Sequence, residues 1–308
     1  MPLHPVVAAL VEKMADAPAL SDGTPAESRA RLALTRDALG KGPEMAQVED
    51  VMIPARGGAI RTRFFRPVAD PLGIVTFLHG GGWVLGTIED FDTFARTLAA
   101  HSGCTVLLPD YRLAPEAPFP AGLEDTEDTL RWVHANRDVL ADRNSPLVIA
   151  GDSAGANLAT VTARRLAGEI PLALQVLYYP VAGSDFETGS YLEHGTGLPL
   201  KARDMTWFFN HYAPSNLWTS PDVIPLSASD LSSLPATVVV TAEYDVLADE
   251  GRAYAEKLRQ AGLVVTERQG AGMTHGFIRL HNLIDTVQAE LEIVGRNIRS
   301  ACEKATRS

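Results

Sequence analysis

The hydrophobic positions of this chain follow two periods in turn. Over the first 14 residues an apolar side chain recurs every three or four positions, as on one face of a helix: Leu3, Val7, Leu10 and Met14. From about residue 47 the pattern changes to short apolar runs of strand length, which alternate with helix-length segments. Strands buried on both faces and separated by helices predict an α/β fold, in which helices cover a mostly parallel central sheet.

Eight apolar runs predict strands, at residues 48–53, 60–66, 74–78, 105–108, 147–150, 172–178, 237–241 and 263–267. The first two lie on either side of Gly57-Gly58 and are expected to form an antiparallel pair. Helices are predicted at residues 91–100, 124–135, 154–166 and 249–261. Right-handed crossovers through these helices would connect the parallel strands.

Two segments fall outside this alternation. The first forty residues predict two short helices, and the second opens on Thr24-Pro25-Ala26-Glu27, a capping box with proline at the first helical position. Their apolar stripe must pack on something larger. Between Pro180 and Pro235 no strand is evident, and the segment is rich in aromatic residues. Such a stretch inside a compact α/β domain is typical of an insertion with its own helices or of a functional lid.

Composition narrows the classes of function. Hydrophobic residues make up 46% of the chain and charged residues 21%, so that a large core can form without disulfides or metal. The net charge of −11 argues against a nucleic-acid partner, because phosphate binding needs a basic surface. No apolar run reaches the length of a membrane span and the start lacks a signal peptide, so we expect a cytoplasmic protein without a membrane partner.

The cysteines and histidines give no sign of a metal site. No Cys/His cluster has metal-ligand spacing, and neither a metal nor another cofactor is expected. Cys104 lies in an apolar run and is expected to be buried, whereas Cys302 lies near the polar C-terminus. A disulfide between the two is therefore not expected.

The segment Gly151-Asp-Ser-Ala-Gly155 matches the Gly-x-Ser-x-Gly nucleophile elbow. In a nucleophile elbow a sharp turn from strand to helix lifts the serine oxygen clear of the sheet. Small residues must flank the serine because the backbone is crowded there. A predicted strand precedes the motif and a predicted helix follows it. The context favours Ser153 as a nucleophile over its alternative role as the N-cap of a helix. The backbone N–H of Ala154 would then be one oxyanion donor.

A second motif, His79-Gly-Gly-Gly-Trp83, follows another predicted strand. Three consecutive glycines cost conformational entropy, so a simple loop rarely contains them. Without side chains in the way, the N–H groups of Gly81 and Gly82 can point into a site and, together with Ala154, would form an oxyanion hole of three donors. The alternative is a merely flexible loop. His79 itself is expected to hold the loop by hydrogen bonds and not to act as a general base.

A serine nucleophile needs a histidine base and an orienting acid, and after a nucleophile elbow these follow in the order acid, then histidine. Four histidines follow the serine: His194, His211, His275 and His281. The first two fall in the strand-free segment and the last in the terminal helical pattern, whereas His275 directly follows the last predicted strand. The acid is expected after the preceding strand, where Asp245 stands; the alternatives are Glu243, Asp249 and Glu250.

Together these motifs resemble the hormone-sensitive-lipase-like, or bacterial family IV, esterases of the α/β-hydrolase superfamily. The resemblance rests on five segments, in order along most of the chain: His79-Gly-Gly-Gly-Trp83, Asp110-Tyr-Arg-Leu-Ala-Pro-Glu116, Gly151-Asp-Ser-Ala-Gly155, Asp245-Val-Leu-Ala-Asp-Glu-Gly251 and His275-Gly-Phe277. It implies a catalytic triad and an oxyanion hole made of the residues already singled out: Ser153, Asp245 and His275, with Gly81, Gly82 and Ala154. One departure is Val246, since the family usually has proline after the triad aspartate.

The resemblance also implies a helical cap over a hydrolase core. The cap would comprise the N-terminal helices, residues 1–45, and an insertion at residues 184–215. The core would comprise residues 46–183 and 216–308. The Tyr111–Glu116 part of the second segment is interpreted as structural, because it can tie a loop beneath the active site. A homodimer through an edge strand is compatible with the resemblance and has no other support in the sequence.

The predicted function is that of a serine carboxylesterase acting on small-molecule esters with short to medium acyl chains, a range that the resemblance implies. Aromatic residues of the glycine motif and the insertion would form an apolar substrate pocket: Trp83, Trp207, Phe208 and Tyr212. For each of them the alternative is packing of the cap on the core. Two other functions stay open, namely an amide or formamide hydrolase using the same residues and a non-catalytic small-ligand receptor on the same fold.

Overall fold

An eight-stranded sheet forms the centre of the molecule, of which a computed structural model describes residues 2–307. The strands are β1 (Gln47–Ala55), β2 (Gly58–Arg66), β3 (Ile74–Leu78), β4 (Thr105–Pro109), β5 (Leu147–Asp152), β6 (Leu174–Tyr178), β7 (Thr237–Tyr244) and β8 (Val265–Thr274). In space they lie in the order β1-β2-β4-β3-β5-β6-β7-β8. β2 pairs antiparallel with both β1 and β4, and every other pair is parallel. The predicted mostly parallel sheet is confirmed.

Helices lie on both faces of this sheet and beyond its carboxyl edge. They are α1 (Pro5–Lys13), α2 (Pro25–Ala33), α3 (Ile88–Ser102), α4 (Ala121–Ala135), α5 (Arg137–Leu140), α6 (Ala154–Arg165), α7 (Gly189–His194), α8 (Ala202–Tyr212), α9 (Ala248–Gln260) and α10 (Asp285–Arg307). Buried residues of α3 and α10 share one hydrophobic cluster, and those of α4, α6 and α9 share the other. The parallel strands are thus enclosed between two helical layers, which is why their sequences are apolar throughout.

Strand β3 illustrates how one run of sequence serves both layers. Successive side chains of a strand point to opposite faces. Val75 and Phe77 belong to the cluster of α3 and α10, whereas Ile74 and Leu78 belong to the cluster of α4, α6 and α9. All of β3 is buried. The strand therefore ends inside the fold, where the glycine motif begins.

The strand-free segment between Pro180 and Pro235 contains α7 and α8 and no strand among the described residues, as predicted. It is tied to the N-terminal region through one buried carboxylate. The Oδ1 atom of Asp204 accepts hydrogen bonds from the backbone N–H and the hydroxyl of Ser21, at 2.9 and 2.6 Å. Asp204 is fully buried. These two distant parts of the sequence therefore pack as one layer.

The start of α2 has the predicted capping box. The Thr24 hydroxyl accepts the N–H of Glu27, and the Glu27 carboxylate accepts the N–H of Thr24. One helical turn later, Arg29 donates to the carbonyl oxygens of Val84 and Ala114, at 2.8 and 2.9 Å. The N-terminal helices are therefore anchored to the loop that follows β3.

Both cysteines are free thiols, and both are buried. The helix α10 keeps an apolar stripe to its last turns: Val287, Leu291, Val294, Ile298 and Cys302. Its polar residues occupy the opposite face. The Sγ atom of Cys302 lies 3.8 Å from that of Cys104. The absence of a disulfide was expected because Cys302 was placed in a polar terminus; that reason is wrong, since the two thiols are in contact.

Candidate active site

Ser153 stands at the sharp turn between β5 and α6. Its backbone has φ 55° and ψ −120°, a conformation that residues other than glycine rarely adopt. The neighbouring glycines have no room for a side chain. A Cβ on Gly155 would lie 2.0 Å from the carbonyl oxygen of Leu78, and one on Gly151 would lie 2.4 Å from that of Gly155. Close packing therefore requires the flanking glycines that the sequence motif contains.

Asp245, His275 and Ser153 form a continuous hydrogen-bonded line. Oδ2 of Asp245 lies 2.7 Å from Nδ1 of His275, and Nε2 of His275 lies 2.9 Å from Oγ of Ser153. Asp245 follows β7 and His275 follows β8, so both stand at the carboxyl end of neighbouring parallel strands. Asp245 is 1% exposed, and its Oδ1 accepts the N–H of Leu247. A buried, anchored carboxylate of this kind can fix the orientation and tautomer of the imidazole.

The three other acidic candidates have different partners. Each accepts a backbone N–H elsewhere: Glu243 that of Gly272, Asp249 that of Ser190 and Glu250 that of Ala182, at 2.7, 2.7 and 2.8 Å. Burial raises the pKa of Glu250 to about 8, so that this carboxyl is protonated at neutral pH. Of the four candidates, the fold brings Asp245 to the histidine.

The glycine loop after β3 offers unpaired backbone N–H groups. Gly81 and Gly82 have φ values of 117° and 60°, and a Cβ on Gly82 would lie 2.2 Å from the ring of Phe208. Neither N–H has an acceptor within residues 2–307. The N–H of Ala154 belongs to the first residue of α6, where helix geometry leaves it without an intrahelical partner. Gly81 and Gly82 line the same cavity as Ser153.

His79 holds this loop from below. Its ring stacks between the rings of Phe91 and Tyr111, with centroids 5.3 and 4.5 Å away, and its Nδ1 lies 2.8 Å from the carbonyl oxygen of Gly80. The Tyr111 hydroxyl donates to the carbonyl oxygen of His79 at 2.7 Å. Burial lowers the pKa of His79, which keeps the ring neutral. The predicted structural roles of His79 and of the segment starting at Tyr111 agree with these contacts.

Asp152 joins the glycine loop to the elbow. Its Oδ1 accepts the N–H of Gly80 at 2.6 Å, and the hydroxyl of Tyr179 lies 3.4 Å from its Oδ2. Loss of solvation raises the pKa of this buried carboxyl to about 6, and the N–H of Gly80 partly offsets the rise. Asp152 was not among the site residues predicted from the sequence, although its position directly before Ser153 was a usable signal.

A cavity of about 390 Å³ opens over Ser153 and His275. The glycine loop forms one wall, and the N-terminal region and the segment around α8 form the others. Its apolar lining includes Met14, Leu20, Leu32, Phe91, Leu200, Met205 and Phe208. Most of these residues lie outside any motif. The apolar stripe of α1 was the one signal for them, since its last member, Met14, extends to the cavity.

Of the four aromatic residues predicted to bind substrate, Phe208 lines this cavity and the other three do not. Trp83 is 1% exposed, and its ring is stacked on that of Tyr212 with centroids 4.1 Å apart. Trp207 lies on α8 with its ring against His211, at 4.5 Å between centroids. The contacts of Trp83 and Tyr212 match the alternative interpretation, in which the insertion packs on the core.

Residues 75–279 match a family model described as an alpha/beta hydrolase fold, which covers more than half of the chain. The chain belongs to this family, and with it to the hormone-sensitive-lipase-like esterases.

Relatives named as ester hydrolases share most of the chain's length. An ethyl acetate hydrolase of Pseudomonas putida is 34% identical over 265 residues, which are 83% of this chain and 83% of that protein. The carboxylesterase NlhH of Mycobacterium tuberculosis (strain H37Rv) is 37% identical over 238 residues, covering 75% and 73% of the two chains. The hyperthermophilic esterase of the archaeon Pyrobaculum calidifontis superposes with a TM-score of 0.91 at 36% identity, covering 97% of this chain and 99% of that one. The protein is therefore an enzyme, a carboxylic ester hydrolase.

No helix within residues 2–307 combines the length and the apolar character needed to cross a membrane.

Proposed function

We propose that the enzyme hydrolyses small esters of short- to medium-chain acids through Ser153, His275 and Asp245, by way of an acyl-enzyme. The observation that carries this proposal is the unbroken line from carboxylate to imidazole to hydroxyl, with contacts of 2.7 and 2.9 Å. Both distances lie in the range needed for proton transfer.

In the first half of the reaction, Oγ of Ser153 attacks the ester carbonyl carbon and its proton passes to Nε2 of His275. The carbonyl oxygen becomes an oxyanion, which the N–H groups of Gly81, Gly82 and Ala154 stabilise. The bond to the alkoxy oxygen then breaks, and the imidazolium protonates the leaving alcohol. Asp245 stabilises the positive charge on His275 throughout.

In the second half, His275 takes a proton from a water molecule, whose oxygen attacks the acyl carbon. A second oxyanion forms in the same hole. The bond from the acyl carbon to Oγ breaks, Ser153 recovers its proton from His275, and the carboxylic acid leaves. The serine, the base and the donors are therefore used twice, which is why they must stay in fixed positions.

The proposed range of acyl chains is supported by the size of the cavity. At about 390 Å³ it lies near the lower end of the range for small-molecule sites, about 300–1,000 Å³. Phe208 packs against Gly82 and limits the space beside the oxyanion hole. A long acyl chain would have to extend past α8 and the N-terminal region.

We also propose that residues 1–45 and 184–215 act together as a cap over the core. The bonds between Ser21 and Asp204 join the two parts, and both contribute side chains to the cavity wall. A cap built from two distant segments would exclude water from the acyl-enzyme and shape the pocket.

The test is hydrolysis of a p-nitrophenyl ester series, from acetate to palmitate, by the wild type and by Ser153→Ala. We expect kcat/KM to be highest for short chains and to fall by several orders of magnitude in the variant at every chain length. Ser232→Ala, which removes an exposed hydroxyl bonded to Asp230, is the matched control and keeps its activity. Equal activity of Ser153→Ala and the wild type would overturn the proposed mechanism, and a maximum at palmitate would overturn the proposed range.

A further inference from the structure

The charge of the active-site cavity is opposite to that of the whole chain. The chain carries a formal net charge of −11. The cavity is nevertheless lined by three cationic side chains and one carboxylate: Arg31, Lys201 and Arg279, with Asp152. The Asp152 carboxylate is already hydrogen-bonded to the glycine loop, since its Oδ1 accepts the N–H of Gly80 at 2.6 Å. The lining is therefore cationic in an otherwise acidic enzyme, and this contrast suits an anionic group on the bound molecule.

Two of these cations, Arg31 and Arg279, differ in how many of their hydrogen-bond donors the protein uses. Arg31 is engaged within its own region, because it donates to the carbonyl oxygens of Pro18 and Ala19 and to the hydroxyl of Ser28. Its guanidinium therefore serves to hold the N-terminal region together. Arg279 makes one bond from its terminal nitrogens against three made by Arg31, and both arginines have a buried Nε without an acceptor within residues 2–307.

Arg279 lies in the turn Phe277–Leu280, four positions after His275, and borders the same cavity as Ser153. One of its terminal nitrogens, Nη2, donates to the hydroxyl of Thr35 at 3.0 Å. Its Nε is buried and has no acceptor within residues 2–307. The guanidinium carbon lies 5.3 Å from the ring centroid of Phe91, which also lines the cavity.

The nearby carboxylates are already paired with other groups. Asp90 accepts from Arg36 at 2.7 Å and from the hydroxyl of Thr87 at 3.0 Å. Asp152 is bonded to the glycine loop. No carboxylate among residues 2–307 forms an ion pair with Arg279. Asp90 and Asp152 lie close enough to favour the charged guanidinium but are not bonded to it. A ligand carboxylate would supply the direct partner that this largely buried group lacks.

We propose that Arg279 binds a carboxylate carried by the substrate, so that monoesters of dicarboxylic acids are favoured substrates of this enzyme. This inference rests on the proposed function, because it takes Ser153 as the point of attack in the same cavity. A planar guanidinium can bind a carboxylate through two parallel hydrogen bonds, and an apolar surrounding strengthens them. The ester carbonyl would lie at Ser153 while the free carboxylate lies at Arg279.

The experiment compares pairs of ethyl esters that differ at one end. The anionic members are monoethyl succinate, glutarate and adipate, and in each neutral partner an isopropyl group replaces the carboxylate. Release of ethanol gives kcat/KM for both members. We expect the wild type to favour the anionic ester for at least one chain length, and Arg279→Met to lower the anionic-to-neutral ratio by about ten- to a hundredfold, the usual effect of losing a charge-assisted hydrogen bond.

Two further variants separate recognition from structure. Arg279→Lys keeps the charge without the planar fork and should restore part of the ratio. Arg296→Met removes an exposed cation of α10 and should leave the ratio unchanged. Because the ratio compares two esters on one enzyme preparation, a general loss of activity or folded protein cancels out of it.

Two results would overturn the inference: a wild-type ratio at or below one for all three chain lengths, or an equal ratio in the wild type and Arg279→Met. Failure of the proposed function has a different signature. In that case Ser153→Ala would hydrolyse the neutral esters as fast as the wild type, whatever the ratio.

Discussion

The buried carboxyl of Asp152 should make the free energy of unfolding of this enzyme fall as the pH rises. The variant Asp152→Asn should lack this contribution. Loss of solvation holds the pKa of this group at about 6 in the folded protein, against 3.8 for an ordinary aspartate. At 1.36 kcal/mol per pH unit, this difference corresponds to about 3 kcal/mol. The asparagine side chain has the same shape, and its oxygen can still accept the N–H of Gly80.

The sign of this pH dependence is set by whether the folded or the unfolded chain holds the proton on Asp152. Between pH 4 and 6 the folded chain keeps a proton on Asp152 that the unfolded chain has lost. The free energy of unfolding therefore falls as the pH rises through this window, and the loss is complete above the folded pKa. In the asparagine variant this contribution is missing. Relative to the wild type, the variant should gain about 2 kcal/mol between pH 4.5 and pH 7.5.

The assay is urea unfolding at these two pH values, followed by tryptophan fluorescence, since the chain has four tryptophans. Asp16→Asn, a change at an exposed aspartate, is the matched control and should show no such gain. A difference between Asp152→Asn and the wild type that is the same at both pH values would refute the reasoning. It would mean that this carboxyl is not protonated in the folded enzyme near pH 5.

Two more substitutions address the proposed site. In Gly82→Ala the new Cβ meets the ring of Phe208 at 2.2 Å and the backbone is strained at φ 60°, so the loop must shift. We expect kcat on p-nitrophenyl butyrate to fall by about a hundred- to a thousandfold, and a loss below tenfold would count against this N–H as an oxyanion donor. In Asp245→Asn we expect kcat to fall by about ten-thousandfold, because the amide favours the wrong tautomer of His275. Glu243→Gln is the control and should keep most of its activity. A larger loss of kcat in Glu243→Gln than in Asp245→Asn would assign the orienting acid to Glu243.

The parts of the site that the sequence could predict are those where the backbone demands particular residues. The elbow needs Gly151 and Gly155 because a Cβ at either would collide with backbone atoms. The loop after β3 needs glycine at positions 81 and 82 because both have positive φ values, which residues with a side chain rarely adopt. Asp245 and His275 could be chosen by chain order, because the carboxyl ends of neighbouring parallel strands come together in space. Local geometry and topology thus left few alternatives.

The pocket could not be predicted in the same way, because packing between distant segments decides it. All three of Trp83, Phe208 and Tyr212 are aromatic residues that were predicted to bind substrate. Trp83 and Tyr212 stack on each other and do not line the cavity, whereas Phe208 does. Strand β8 shows the same limit. It was predicted at residues 263–267 and runs over Val265–Thr274, since its second half is polar and glycine-containing at the edge of the sheet.

The central claim, that Ser153 is the nucleophile of a covalent mechanism, is tested most directly by labelling with an activated phosphonate ester. Intact-protein and peptide mass spectrometry would follow the label while ester hydrolysis is measured on the same samples. We predict one phosphonyl group per chain, located on Ser153, with activity lost in proportion to labelling and no adduct on Ser153→Ala. Full activity in a protein labelled at Ser153, or stoichiometric labelling of another residue together with loss of activity, would contradict it.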